Sequence, residues 1–257
     1  MKKLNGKIVF ITGASSGIGL ACARSFAEAG CGLVLSARRV DRVEALATEL
    51  KQQYGTPIHT GKLDVRDCAA VNKFVEDLPA EFKEVDILLN NAGLSRGLAP
   101  LAGGEISDWD EMLDTNVKGL LYVSRAVVPG MVARDRGHVI NIGSIAGHQV
   151  YPGGAVYCAS KFAVSAITQG LMMDTVNTPI RVSTVDPGMV ETEFSLVRYH
   201  GDAARAATTY KGLTPLSAED VADAVLFVAT RPAHANVSEL VLLPTDQASV
   251  YHANRRA

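Results

Sequence analysis

Thr12-Gly13-Ala14-Ser15-Ser16-Gly17-Ile18-Gly19 lies between a short β-rich run, Lys7–Thr12, and a segment with helical spacing, Ile18–Ala29. Glycines at a strand-to-helix junction let the backbone turn tightly and come close to a ligand. The helix that follows offers free N–H groups and the positive end of its dipole, which suits a pyrophosphate. The spacing is G-x-x-x-G-x-G rather than the G-x-G-x-x-G of many dinucleotide folds. The strand-before, helix-after context makes it a nucleotide-binding turn instead of a merely structural one.

Outward from this turn, strand-like and helix-like segments alternate. Leu33–Ser36, Ile58–Leu63, Ile87–Leu89, Val139–Ile142, Arg181–Val185 and Leu240–Leu243 read as strands. Val40–Tyr54, Ala69–Leu78, Tyr157–Thr175 and a segment ending at Thr230 read as helices. Ser107-Asp-Trp-Asp110 and Ser217-Ala-Glu-Asp220 have capping-box spacing, and a long helical pattern runs from the first of these toward Val132. Short strands rich in Val, Ile and Leu belong to a sheet covered on both faces. Their alternation with helices predicts an α/β fold: a doubly wound parallel sheet, or Rossmann fold, in a single domain spanning 1–257. The stretch 193–215 is the least patterned and is long for a connection, so it is expected to form a small substrate lid.

Composition excludes several classes. Of 257 residues, 47% are hydrophobic and 20% charged, which is globular usage rather than disorder. Lys and Arg number 25 against 27 Asp and Glu, so the basic excess of a nucleic-acid partner is missing. No run approaches the roughly 20 apolar residues of a membrane span, and a signal peptide is not expected. The scattered Cys22, Cys31, Cys68 and Cys158 form no C-x-x-C pair, and none of the six histidines has metal-pair spacing. A cytoplasmic protein with no metal follows as the expectation. His148 is a weak candidate for the pocket wall, and Trp109 reads as packing.

In open α/β sheets, ligands sit beyond the carboxyl ends of the strands. After the second strand the chain reads Leu35-Ser36-Ala37-Arg38-Arg39, with no carboxylate for an adenosine ribose and two guanidiniums suited to a 2′-phosphate. This favours NADP over NAD. Tyr157 and Lys161 are four apart and share one helix face. A tyrosine with its usual pKa of about 10 is a poor base, and a nearby ammonium lowers it. Ser144, after the strand ending at Ile142, is placed to hydrogen-bond a reacting oxygen.

With these residues in view, the sequence resembles the short-chain dehydrogenase/reductase family over essentially its whole length. The matching motifs are Thr12–Gly19, Asp64, Asn90-Asn91-Ala92-Gly93, Asn116, Ser144, Tyr157, Lys161, and Pro187-Gly188 with Thr192. The resemblance implies Tyr157 as general acid/base, Lys161 as pKa modifier and ribose contact, Ser144 as orienter of the carbonyl and Asn116 as support for a water relay. It also implies that Gly13, Ser15, Ser16, Gly17, Ile18, Gly19, Arg38, Arg39, Asp64, Val65, Asn91, Pro187, Gly188, Val190 and Thr192 meet the cofactor, with Asp64 and Val65 at the adenine. Ser15-Ser16 stands where some NADP-preferring relatives carry a basic residue, so selectivity leans on Arg38 and Arg39. Family members pair long apolar helices, such as those near Leu120 and Leu171, as homotetramers, although core burial accounts for the same pattern.

Several stretches resemble the narrower branch of NADP-dependent 3-hydroxy acid dehydrogenases, which also oxidise serine and L-allo-threonine. These are Leu78-Pro-Ala-Glu-Phe82, Ala126–Met131, Thr192-Glu-Phe-Ser195 followed by Val197-Arg-Tyr199 and Gly201-Asp202, and Pro232-Ala-His234. Relatives of this branch reduce small anionic aldehydes such as sulfoacetaldehyde or malonic semialdehyde. A small anionic substrate is therefore expected, with Arg96 or Arg198 as its bidentate clamp. Arg96 departs from the small or apolar residue expected in the 3-hydroxy acid branch. The competing class is a non-catalytic sensor of NADP redox state, which would have no need of Ser144, Tyr157 and Lys161 together.

Overall fold

Seven strands form one parallel sheet in the computed structural model, which describes residues 4–256. They are β1 (Ile8–Thr12), β2 (Gly32–Ala37), β3 (Ile58–Lys62), β4 (Ile87–Asn90), β5 (His138–Ile142), β6 (Arg181–Pro187) and β7 (Glu239–Leu242). Their order across the sheet is β3-β2-β1-β4-β5-β6-β7, and all neighbours run parallel. The strand order therefore reverses at β1, between its partners β2 and β4. A crevice at such a reversal is where open α/β sheets bind nucleotides.

The helices follow from the spacing of apolar residues. In α2 (Val40–Tyr54) the buried positions are Val43, Leu46, Ala47 and Leu50, one stripe at helical period. In β1, Val9 and Ile11 face one layer and Phe10 the other, as the two-residue period of a strand demands. The first layer packs α1 (Gly17–Glu28), α2 and α9 (Ala218–Ala229) on the sheet. The second packs α3 (Cys68–Glu76) and α5 (Leu120–Ala133), with Leu171 and Met172 of α6 (Ala155–Asp174). The central strands are buried apart from a first residue such as Ile8, while the edge strands β3 and β7 are open or partly open along most of their length.

Two expectations change. α4 (Ile106–Leu113) begins before Ser107, because the Glu105 carbonyl already accepts the amides of Asp108 at 3.1 Å and Trp109 at 3.3 Å. Ser107 thus lies inside the first turn and caps nothing, whereas the Ser217–Asp220 capping box of α9 forms as expected. The long helix toward Val132 is interrupted by a π-helical segment, Asp114–Gly119, between α4 and α5. Such bulges turn a residue out of helical register, and the residue turned inward here is the buried Asn116. The stretch 193–215 holds two short helices, α7 (Phe194–Arg198) and α8 (Ala203–Thr208). No helix among the described residues is long and apolar enough to cross a membrane.

Candidate active site

A cleft of about 850 Å³ runs along the carboxyl edge of the sheet. Every candidate site residue named from the sequence lines it, except Gly19, Asn116 and the weak candidate His148. Gly13 has φ +69°, and a Cβ there would stand 2.9 Å from the Ala92 Cα. A Cβ on Gly19 would meet the Gly13 carbonyl oxygen at 2.5 Å and run into the Asn91 amide. Gly19 thus shapes the turn from behind. The Asn91 side chain donates to the carbonyls of Thr12 at 2.9 Å and Gly13 at 3.1 Å, which welds the loop after β4 to the glycine turn. Ser16 is the N-cap of α1 but makes no capping bond with its side chain, so the helix N-terminus remains available to an anion.

The two arginines after β2 reach this turn. Arg39 donates to Ser15 Oγ at 3.2 Å and Ser16 Oγ at 2.8 Å, and pairs with Glu193 at 2.8 Å. Arg38 lies 3.4 Å from Glu111. No carboxylate stands on β2 or in the two residues after it. Asp64, after β3, is bonded by Arg66, whose guanidinium holds its carboxyl below the usual range.

Ser144 sits at the N-cap of a 3-10 turn after β5, where its hydroxyl accepts the Ala146 amide at 3.1 Å. Tyr157 and Lys161 project from one face of α6, and both are buried. The Lys161 ammonium donates to the Ile142 carbonyl at 2.9 Å and stands 5.9 Å from the centre of the Tyr157 ring. Burial lowers its pKa to about 8, against an opposing pull from Asp186. Burial likewise raises Tyr157. The lowering influences on that phenol come first from the Arg198 guanidinium and then from the Ser144 hydroxyl. In this structure the Lys161 ammonium is bonded to a backbone carbonyl, and Arg198 lies nearer the face of the Tyr157 ring, 5.4 Å from its centre. Asn116 spends its side chain on Leu94, accepting from its amide and donating to its carbonyl at 2.8 Å each, and on Ser160 at 3.0 Å.

The crevice at the strand reversal thus holds Ser144, Tyr157 and Lys161 in one wall, beside the glycine turn. Residues 7–200 match the family described as short chain dehydrogenase. The chain belongs to the short-chain dehydrogenase family. It is similar to an NADP-dependent 3-hydroxy acid dehydrogenase of Schizosaccharomyces pombe, 42% identical over 100% of this chain and 99% of the relative. It is also similar to sulfoacetaldehyde reductase 2 of Chromohalobacter salexigens, 48% identical over 94% of this chain and 95% of the relative. Among solved structures, a closed serine dehydrogenase complexed with NADP+ superposes with a TM-score of 0.90 at 44% identity, covering 94% of this chain and 96% of the other.

The two anion-clamp candidates of this short-chain dehydrogenase are in different situations. Arg96 is committed: it pairs with Glu111 at 2.6 Å and donates to the Val197 carbonyl at 2.6 Å. Arg198 lies over the rings of Phe194, Tyr157 and Tyr151, donates to the Tyr151 hydroxyl at 3.0 Å, and keeps a buried Nε with no partner among the described residues. His148 is not in the cleft wall; it bonds Asp186 at 2.8 Å behind it. Trp109 packs beside the cluster of Leu94, Met112 and Tyr157.

Tyr151 and the tail residues Gln247, Ser249, Val250, Tyr251, Ala253 and Arg255 also line the cleft and were not singled out from the sequence, while Glu193, Phe194 and Tyr210 were covered only as part of the 193–215 lid. Tyr151 had a usable signal, an aromatic before Pro152-Gly153-Gly154 in the loop after a strand. The tail had none, since it is brought in by Arg255 donating to the Lys211 and Thr209 carbonyls.

Proposed function

We propose that this chain is an NADP-dependent oxidoreductase that interconverts a small anionic carbonyl compound and its alcohol, a 3-hydroxy acid or semialdehyde. The observation that carries this reading is the unpartnered, buried Arg198 Nε in the same cleft as Tyr157. A buried guanidinium donor without an acceptor calls for one, and a carboxylate meets it with charge-assisted bonds. The NADP part rests on the glycine cradle, the Ser15 and Ser16 hydroxyls and the Arg38–Arg39 pair, which fit a pyrophosphate and a 2′-phosphate. The names of the fungal relative and of the NADP+-bound neighbour support it.

When bound, NADPH supplies the hydride. Tyr157 donates its proton to the carbonyl oxygen, and Ser144 holds that oxygen by a hydrogen bond. Lys161 supplies positive charge behind the phenol and reaches the ribose. Burial keeps water out, so these fixed donors act on the developing alkoxide in a low dielectric. Asn116 positions the Leu94 loop and α6 through its side chain, which is how it would support a water relay. Arg198 orients the anionic end, with Tyr151 beside it. The segment 193–215 acts as a lid, carrying Phe194 against the Tyr157 ring at 5.7 Å.

A sulfonated aldehyde is the second reading. A sulfonate presents the same acceptor chemistry to Arg198, and the Chromohalobacter relative is named for that substrate. A non-catalytic sensor is disfavoured by the complete Ser144–Tyr157–Lys161 cluster. The exposed apolar residues Leu121, Val132, Phe162 and Met173 on α5 and α6 support a homo-oligomer, and a tetramer is expected by light scattering. The location is proposed to be cytoplasmic, where the four free cysteines stay reduced.

The test is NADPH absorbance with a panel of semialdehydes, 3-keto acids, sulfoacetaldehyde and neutral aldehydes. Anionic members are expected to be turned over, and Tyr157→Phe to abolish turnover while NADPH still binds. Substantial activity in that variant refutes the role of Tyr157, and preference for neutral aldehydes refutes the substrate class.

A further inference from the structure

Arg38 is held by Glu111 together with Arg66 and Arg96, while Glu193 bridges Arg39 and Arg42 beside the phosphate turn. One carboxylate oxygen pairs with Arg39 at 2.8 Å and the other with Arg42 at 2.7 Å. Arg39 fans its remaining donors onto the Ser15 and Ser16 hydroxyls. The arginines come from the loop after β2 and the first turn of α2, whereas Glu193 sits at the N-cap of α7, across the cleft. The contact therefore spans the mouth of the crevice and depends on neither local helix geometry nor a turn.

Resting on the NADP reading above, we propose that Glu193 is a cofactor-specificity residue: its carboxylate is an internal anion occupying the 2′-phosphate subsite, and it is exchanged for that phosphate when NADP binds. The Arg39 guanidinium with the Ser15 and Ser16 hydroxyls is a donor set that suits a 2′-phosphate. A phosphate dianion carries more charge and more acceptor oxygens than one carboxylate, so it takes Arg39 from Glu193. Once it does, Glu193 faces like charge and must move off. An adenosine with a free 2′-hydroxyl offers no anion and leaves Glu193 on both arginines. All three side chains are about two-fifths exposed, so the exchange is between screened partners and tunes affinity modestly.

The test is calorimetric titration of wild type, Glu193→Gln and Glu193→Asp with 2′,5′-ADP and 5′-AMP, then with NADPH and NADH. Glu193→Gln removes the competing anion and is expected to tighten 2′,5′-ADP and NADPH by about three- to tenfold, an effect that shrinks in high salt. Affinity for 5′-AMP and NADH is expected to stay as in wild type. Glu193→Asp keeps the charge and is expected to keep the wild-type ratio. Parallel changes for both ligand pairs would mean that Glu193 only holds the cleft lip in place, and would overturn the exchange. Weaker binding of the 2′-phosphorylated pair would overturn it as well. If wild type itself does not prefer 2′,5′-ADP to 5′-AMP, the NADP reading fails first. A clear preference that Glu193→Gln leaves unaltered condemns the exchange alone.

Discussion

Lys161→Met is expected to stabilise the protein while destroying its chemistry. Lys161 is 7% exposed, and burial brings its pKa to about 8 from the ordinary 10.5. At about 1.4 kcal/mol per pH unit, holding that ammonium inside costs about 3 kcal/mol. Methionine has similar length and no charge, but it abandons the Ile142 carbonyl, a loss of about 1 kcal/mol. The net expected gain is about 2 kcal/mol at pH 7, or roughly 4–8 °C in Tm. The sign of the pH dependence follows from linkage. Between pH 8 and 10.5 the unfolded chain holds a proton on Lys161 that the folded chain has released, so wild type gains stability from this group as pH rises. Buried Cys22, Cys31 and Cys158 act oppositely, since their raised pKa values favour the unfolded chain once its thiols ionise above about pH 9. Those thiols are common to both proteins and cancel in the difference. Urea unfolding followed by circular dichroism at pH 7 and near pH 10 therefore reads Lys161 alone. The advantage of the variant should be largest at pH 7 and shrink toward pH 10. A variant less stable than wild type at pH 7, or an advantage independent of pH, would refute the claim that this ammonium is held inside against its solvation.

Three further outcomes are expected. Arg198→Ala should raise KM for carboxylate and sulfonate substrates by about 10- to 100-fold, the worth of one charge-assisted interaction, and leave KM for neutral aldehydes nearly unchanged in steady-state assays, while any fall in kcat through Tyr157 is shared by both substrate classes. Arg38→Asp should weaken NADPH far more than NADH in fluorescence titrations, and equal losses would remove Arg38 from the 2′-phosphate site. Gly19→Ala puts a methyl group 2.5 Å from the Gly13 carbonyl oxygen; overpacking of this kind costs about 1–3 kcal/mol, and both a lower unfolding midpoint and lost cofactor binding should be measured.

Much of the site was legible in one dimension. Tyr157 and Lys161 declare a shared face by their spacing, and the glycine turn declares itself by the strand and helix around it. Helix α2 appears at its expected bounds because its buried positions are set by its own periodicity. The misreadings occur where a distant partner intervenes. The π-helical segment that interrupts the long helix has no local mark; it forms where Asn116 turns inward to bind Leu94 and Ser160 and where Gly119 lies against Val65. Arg96 and Arg198 look equivalent as letters, and they part only because Glu111 and the Val197 carbonyl capture one of them.

The amino-acid order alone made legible the strands, the glycine turn and the proposed Tyr157–Lys161 pair, since each depends on residues within a turn or a strand of one another. Tertiary structure alone decided which charges are free. Arg39 meets a carboxylate 154 residues further along the chain, and the Tyr157 phenol takes its strongest lowering influence from Arg198 rather than from its helix neighbour. Coulombic and desolvation energies depend on distance in space and on burial, and neither quantity exists until the strands have paired.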